Sequence, residues 1–136
     1  LGPAFDELWD CGKVLSDAAW ASSGLGPKDV GSIQLYDGYS FFVYWWLEAL
    51  GFCKKGEAWQ FIQDGRIELA GEAPVNTFGG QLAEGRMHGI GHLAEMARQA
   101  MGTAGKRQIT NGKAAIAGIG PLGLGSGVFV LTPQPL

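Results

Sequence analysis

The residues best suited to chemistry begin at a Tyr-Asp-Gly-Tyr run, residues 36–39. The run follows an apolar stretch that alternates like a strand, and strand ends are where sites in open α/β sheets are usually found. A phenol there can donate a hydrogen bond to a developing oxyanion, or act as a base once it is deprotonated. Tyr36 and Tyr39 are therefore candidate catalytic residues, and ordinary packing of a half-buried tyrosine is the alternative.

A second polar segment, residues 76–89, contains a glycine pair and a histidine that could transfer a proton. The glycines let the backbone turn sharply before a helix, and the N-terminus of a helix binds anions. An arginine in the same segment could hold a negative charge. The candidate substrate-binding residues are Asn76, Gly79, Gly80 and Arg86, and His88 is a third candidate catalytic residue.

His88 and His92 are one helical turn apart and could in principle hold a metal ion. No carboxylate accompanies them in the pattern of a His-Glu-x-x-His site. We therefore expect no metal, and we expect each histidine to be structural or to line the site.

The third segment is the glycine-rich run at residues 118–127, GIGPLGLGSG. It contains a Gly-x-Gly-x-x-Gly pattern, but no helix follows it, and Pro121 removes one of the amides that a phosphate needs. Nucleotide binding is therefore not expected. Gly118 and Gly120 are instead candidate substrate-binding positions, where the loop can pass close beneath a substrate.

Apolar periodicity and Gly or Pro punctuation predict an α/β chain in which helices cover a mixed sheet. A long helix is predicted at 88–101, with Glu95 and Arg98 paired on one face. Its other, apolar face consists of Ile90, Leu93, Ala94, Ala97 and Met101. The other predicted elements are helices at 10–24, 40–50 and 56–63, a short strand near 67–69, and strands at 31–36, 113–119 and 126–131, the last two forming an antiparallel hairpin.

Composition indicates one globular domain, residues 1–136, because 46% of the residues are hydrophobic and 17% are charged. The net charge is −3 without a cluster of Lys and Arg, so no nucleic-acid partner is expected. The longest apolar run, at 41–47, is too short to cross a bilayer, so no membrane is expected either. Cys11 and Cys53 form no Cys-x-x-Cys pair, and the first residues lack the pattern of a signal peptide. These features predict a cytoplasmic protein with reduced, buried thiols.

Taken in order, the three segments resemble the C-terminal signature blocks of the thiolase superfamily. Residues 36–39 fall where thiolases carry Asn-Glu-Ala-Phe and where sterol-carrier-protein thiolases carry His-Asp-Cys-Phe. Residues 76–89 resemble the block with a glycine pair and Gly-His-Pro, and residues 118–127 resemble the closing glycine loop. The resemblance covers nearly the whole chain and implies the C-terminal half of a thiolase-like fold.

The departures from the thiolase pattern change the chemistry that the resemblance implies. Arg86 stands at the position of the catalytic histidine, His88 lies two residues on, and no cysteine follows Cys53. The variants look like the lipid-transfer-protein group, which includes steroid side-chain aldolases that cleave β-hydroxyacyl-CoA thioesters by a retro-aldol reaction. Within that group, the resemblance implies Tyr36 or Tyr39 as the base and His88 as an oxyanion donor.

The resemblance also implies the partners of the chain. A CoA thioester would be the substrate, without a bound cofactor, in acyl transfer or in retro-aldol cleavage. The N-terminal thiolase half would complete the active site, a homodimer is expected, and a DUF35-type protein (zinc ribbon plus OB-fold) would assist.

A non-catalytic module is the alternative hypothesis. The lost late cysteine, the Gly-Arg pair at the Gly-His position and the tryptophan-rich region 41–59 favour it. Such a module would bind acyl-CoA or lipid, or would mediate oligomerisation.

Overall fold

A computed structural model describes residues 3–82, 84–85, 87–123 and 125–133. The elements in chain order are α1 (Pro3–Ser23), a 3-10 turn (Pro27–Asp29), β1 (Val30–Leu35), α2 (Phe41–Ala49), α3 (Ala58–Phe61), α4 (Ile90–Ala100), a second 3-10 turn (Gly105–Arg107), β2 (Ala114–Ile119) and β3 (Gly127–Leu131). The predicted α/β class and all three longer strands are confirmed. The first helix begins seven residues earlier than the predicted 10–24.

The sheet is mixed, in the order β1-β2-β3. β1 pairs parallel with β2, and β2 pairs antiparallel with β3, which confirms the predicted hairpin. The outer edge of β1 is covered by residues 74–76, where Ile33 donates its N–H to the Pro74 carbonyl at 3.0 Å. The predicted strand near 67–69 is wrong, because these residues form turns and Ile67 only accepts the N–H of Val75.

α1 and α2 cover one face of the sheet and form the main core with it. Trp46 of α2 packs there against Ile33, Leu35 and Ile116, all four fully buried. Burial of this much apolar and aromatic surface is the main stabilising contribution to such a domain. Ser40 occupies the N-cap position of α2 but makes no side-chain cap bond. Gly51 follows the helix with φ of +80°, a conformation that favours glycine as the stop.

α4 covers the other face of the sheet, largely with its polar side. The helix buries His92, Glu95, Met96 and Gln99 against the sheet. The predicted apolar face points outward at its ends, with Ile90 55% and Met101 73% exposed. The helix also begins at Ile90 rather than at 88, because His88 and Gly89 are both in the left-handed conformation.

A hydrogen-bond network explains why the polar side of α4 is buried. The Glu95 carboxylate accepts a bond from the Thr77 hydroxyl at 2.9 Å and from two nitrogens of Arg107 at 3.1 and 3.0 Å. Thr77 also accepts a bond from Gln34 of β1 at 3.0 Å. Burial opposes ionisation of Glu95, but the bonds from Arg107, Thr77 and Gln99 outweigh it, so its pKa lies below the usual range. The predicted Glu95–Arg98 pair is present at 3.7 Å and is the weaker contact.

Both cysteines are free. Both were expected to be buried, but neither is fully buried. Cys11 is exposed and Cys53 is half-buried. Burial, followed by the charges of Glu48 and Glu57, raises the pKa of the Cys53 thiol to about 11, so this thiol is protonated near neutral pH. Among the described residues, no helix is long and apolar enough to cross a membrane.

Candidate functional site

The first and third segments meet at the carboxyl ends of the parallel strands. The backbone N–H of Tyr36 donates to the carbonyl of Gly118, the last residue but one of β2, at 2.8 Å. Residues 36–38 are buried, whereas Tyr39 is 58% exposed. Since ligands of open α/β sheets bind outside the carboxyl ends of the strands, this is the candidate site.

The Asp37 carboxylate binds the second segment at the carboxyl ends of the parallel strands. Both of its oxygens accept the N–H of Gln81, at 3.0 and 3.1 Å, and one is 3.5 Å from the N–H of Leu82. The predicted placement of the glycine pair at a helix N-terminus is wrong, because α4 begins ten residues after Gly80. The anion bound at this loop is instead a carboxylate of the chain itself.

Gly80 is required where it stands. Its φ is +77°, and a Cβ there would lie 2.2 Å from an oxygen of Asp37. Gly79 has a similar left-handed conformation, with φ of +104°, but nothing lies within 4 Å of a Cβ placed there. The loop therefore depends on Gly80 for space and on both glycines for conformation.

Gly80→Ala should destabilise the protein more than Gly79→Ala. The left-handed conformation costs about 1–2 kcal/mol at either position, and only at Gly80 must the Asp37 carboxylate also move. Urea unfolding of the full-length variants measures the difference. Equal midpoints for the two variants would show that the contact between Gly80 and Asp37 constrains nothing.

His92 lies on the other side of Asp37, and it was predicted to be structural or to line the site, without a catalytic role. Its Nε2 is 3.1 Å from an Asp37 oxygen, and its ring meets Phe78 edge-on at 5.1 Å between centroids. Burial lowers the pKa of His92, although the Asp37 charge acts in the opposite direction, so the imidazole is neutral near pH 7. Its spacing from Glu95 and Gln99, on one face of a helix, is the signal that could have placed it in the interior.

Asn76 joins the loop to the edge of β1. Its side-chain oxygen accepts the N–H of Leu35 at 2.7 Å, and its amide nitrogen donates to the Leu35 carbonyl at 2.9 Å. The side chain thus extends the hydrogen-bond pattern of the sheet by one residue. The predicted role of Asn76 in substrate binding stays a prediction.

Gly118 makes room for Trp46, and Gly120 accepts a hydrogen bond from it. A Cβ on Gly118 would lie 2.7 Å from the indole ring, and the Gly120 carbonyl accepts the indole N–H at 3.0 Å. The glycine loop therefore closes over a buried tryptophan of α2. Substrate binding by these two glycines also stays a prediction.

The remaining predicted residues lie on the outer side of the loop or outside the described residues. His88 is exposed and precedes α4, so it does not share a helix face with His92. Arg86 lies outside the described residues. Within the described part of the chain, no group of three or more His, Cys, Asp or Glu could hold a metal ion.

One surface cleft lies beside the Gly80 loop, and two larger clefts lie away from the predicted site residues. An open cleft of about 610 Å³ lies between Phe78, Met87 and Ile90, beside the Gly80 loop. Two clefts of about 810 Å³ adjoin Phe52 and Phe61, where no predicted site residue lies. The cleft beside the Gly80 loop is lined by Gln81 and Glu84 of the second segment, but by none of the predicted site residues that the structure describes.

The mixed sheet, the three converging segments and their order define a thiolase-type C-terminal domain. The model of the thiolase C-terminal domain-like family matches residues 10–132, and the chain belongs to this family.

Its relatives include a CoA lyase and a steroid side-chain-cleaving aldolase. The chain is 49% identical over 102 residues to the 17-hydroxy-3-oxo-4-pregnene-20-carboxyl-CoA lyase of Mycobacterium tuberculosis, covering 75% of this chain and 26% of the lyase. It is 48% identical over 91 residues to the steroid side-chain-cleaving aldolase of Thermomonospora curvata, covering 67% and 23%. Its fold matches a chain of the Ltp2-ChsH2(DUF35) aldolase with a TM-score of 0.82 and 36% identity, covering 90% and 32%. The chain thus spans about a quarter of the length of the curated relatives it matches.

Proposed function

We propose that this chain is the C-terminal part of an enzyme that cleaves a C–C bond in β-hydroxyacyl-CoA thioesters by a retro-aldol reaction. The observation that carries the proposal is Tyr36, a phenol held at the carboxyl end of β1 where thiolases carry an amide side chain. The similarity to a CoA lyase and to a side-chain-cleaving aldolase supports it. The substrate class that these relatives favour is a steroid carrying a CoA-activated side chain.

The reaction needs one base and one donor. The base takes the proton of the β-hydroxyl, the Cα–Cβ bond breaks, and Cβ becomes a carbonyl carbon. The electron pair of that bond forms a thioester enolate, which is then protonated at Cα to give the shortened acyl-CoA. In this proposal the phenol of Tyr36 or Tyr39 is the base, His88 donates to the enolate oxygen, and no covalent cysteine step is involved.

The outward apolar face of α4 supports the need for an N-terminal half. An amphipathic helix of a free-standing domain turns its apolar stripe to the core, whereas α4 exposes Ile90 and Met101 and buries Glu95. A second thiolase half would cover this stripe, and a DUF35-type protein is proposed as the further partner. The homodimer and the roles of Asn76, Gly79, Gly80, Arg86, Gly118 and Gly120 in holding the thioester belong to the same proposal.

The proposal is tested with the full-length protein, with and without its DUF35-type partner, on a panel of β-hydroxyacyl-CoA thioesters. We expect equimolar release of a shortened acyl-CoA and an aldehyde or ketone. The matched control is the same acyl-CoA without the β-hydroxyl, which should bind but stay intact. Transfer of the acyl group to a second CoA thioester would instead identify an acyltransferase.

The non-catalytic alternative is favoured by the absence of any cysteine after Cys53, by the Gly-Arg pair and by the tryptophan-rich region 41–59. Isothermal titration with the same thioesters separates the two proposals. Tight binding without turnover by the complete protein would favour an acyl-CoA-binding module.

A further inference from the structure

His92 is a buried polar side chain that has no role among the predicted catalytic residues. It is fully buried, and neither ring nitrogen has a partner with hydrogen-bond geometry among the described residues. Its Nε2 lies 3.1 Å from an oxygen of Asp37, and the Leu35 carbonyl also faces the ring. Because buried polar groups are nearly always paired, a histidine held in this way indicates a constraint beyond packing.

The Asp37 carboxylate is held from two sides. On one side it accepts the backbone N–H of Gln81 and fixes the Gly80 loop. On the other it faces His92, which is the only basic side chain within ion-pair distance in the described part of the chain. The carboxylate therefore lies between the Gly80 loop and His92.

Among the described side chains around His92, Asp37 is the polar one in closest contact. Phe78 contacts it edge-on at 5.1 Å, and the Tyr36 ring is tilted against it at 6.4 Å between centroids. The Leu35 carbonyl and the Glu84 carboxylate also face it, the latter acting only through its charge. His92 therefore lies beside both the Asp37 carboxylate and the ring of Tyr36.

We propose that His92 is a positioning residue of the site: it fixes the Asp37 carboxylate, and through it the Gly80 loop and the Tyr36 ring, in the arrangement used for catalysis. This inference rests on the proposed C–C cleavage for its catalytic consequence. The contact between His92 and Asp37 itself does not depend on that function.

The test compares His92→Leu with His92→Gln in the full-length protein. Glutamine keeps a nitrogen that can donate toward Asp37, and leucine removes it. For His92→Leu we expect kcat for cleavage to fall about 10–100-fold with little change in KM, because misplacement of a reacting group by about 1 Å has an effect of this size. His92→Gln should restore most of kcat.

Met96→Ala is the matched control for loss of buried volume. Met96 is buried one turn after His92 on the same face of α4 and contacts neither Asp37 nor Tyr36 through a polar atom. The Met96→Ala variant should have a lower midpoint of urea unfolding and an unchanged kcat per folded site. A kcat in Met96→Ala as low as in His92→Leu, or no rescue by His92→Gln, would overturn the positioning role.

A double-mutant cycle separates failure of this inference from failure of the proposed function. His92→Leu, Asp37→Asn and the double variant are compared by urea unfolding, which needs no substrate. A double variant whose midpoint shift is smaller than the sum of the two single shifts supports the pair, even if no thioester is cleaved. Additive shifts overturn it, even if the wild type proves to be an aldolase.

Discussion

Tyr36→Phe should lower kcat for C–C cleavage by about 10²–10⁴-fold, the usual contribution of a positioned acid or base. The variant removes one oxygen and keeps the ring, which is buried and packs against Phe42 at 5.8 Å between centroids. Packing of the site should therefore survive, and KM should change little. Steady-state kinetics of the full-length protein on a β-hydroxyacyl-CoA measure both constants.

Two further variants are needed to interpret the kcat of Tyr36→Phe. Tyr44→Phe removes a phenol oxygen from a part-exposed position on α2 and should keep wild-type kcat. Tyr39→Phe tests the second candidate base, whose ring stacks on Phe41 at 5.7 Å. Loss of activity in Tyr39→Phe alone would move the base to Tyr39, and wild-type rates in both would remove the phenol from the mechanism.

Trp46→Ala should destabilise the fold by about 3–5 kcal/mol, the usual cost of truncating a buried aromatic side chain. Trp46 is fully buried beneath the sheet and fills the space that Gly118 leaves open. Its loss also leaves the Gly120 carbonyl without the indole N–H, which adds a desolvation cost. The midpoint of urea unfolding of the full-length protein should fall accordingly.

Trp59→Ala is the control for the same chemical change at the surface. Trp59 lies on α3 and is 57% exposed, so its loss should change stability by no more than about 0.5 kcal/mol. Trp46→Phe keeps most of the volume and removes the N–H, and its midpoint should lie between those of wild type and Trp46→Ala. Equal effects of Trp46→Ala and Trp59→Ala would contradict the buried position of Trp46.

Local patterns were sufficient to predict the three longer strands. Ile33 and Leu35 alternate with Ser32 and Gln34, and the glycine run ends β2 before β3 begins. Alternation and turn residues are properties of a few neighbouring positions, so a sequence displays them directly. The same alternation contained an unused clue, since the polar side of β1 is buried and must face polar groups.

The orientation of α4 could not be predicted in this way. Periodicity shows which side of a helix is apolar, but the neighbour that each side meets is set by the fold. Thr77 and Arg107 lie 18 and 12 residues from Glu95, and their hydrogen bonds decide which side faces the sheet.

The pairing of Asp37 with Gln81 spans 44 residues of sequence and was missed for the same reason. Asp37 itself stood in the predicted motif, but nothing local indicates that its carboxylate holds the Gly80 loop. His92 was placed beside His88 because the helix was predicted to start too early.

The Glu95 network has a consequence for how α4 meets other parts of the protein. Apolar contacts alone would let a helix roll about its axis on a sheet, because they have little directional preference. Hydrogen bonds are directional, and those from Thr77 and Arg107 to Glu95 are satisfied at one rotational setting. The network thus fixes the rotation of α4 about its own axis. The apolar stripe of the helix is therefore held at one angle before any other part of the protein packs against it.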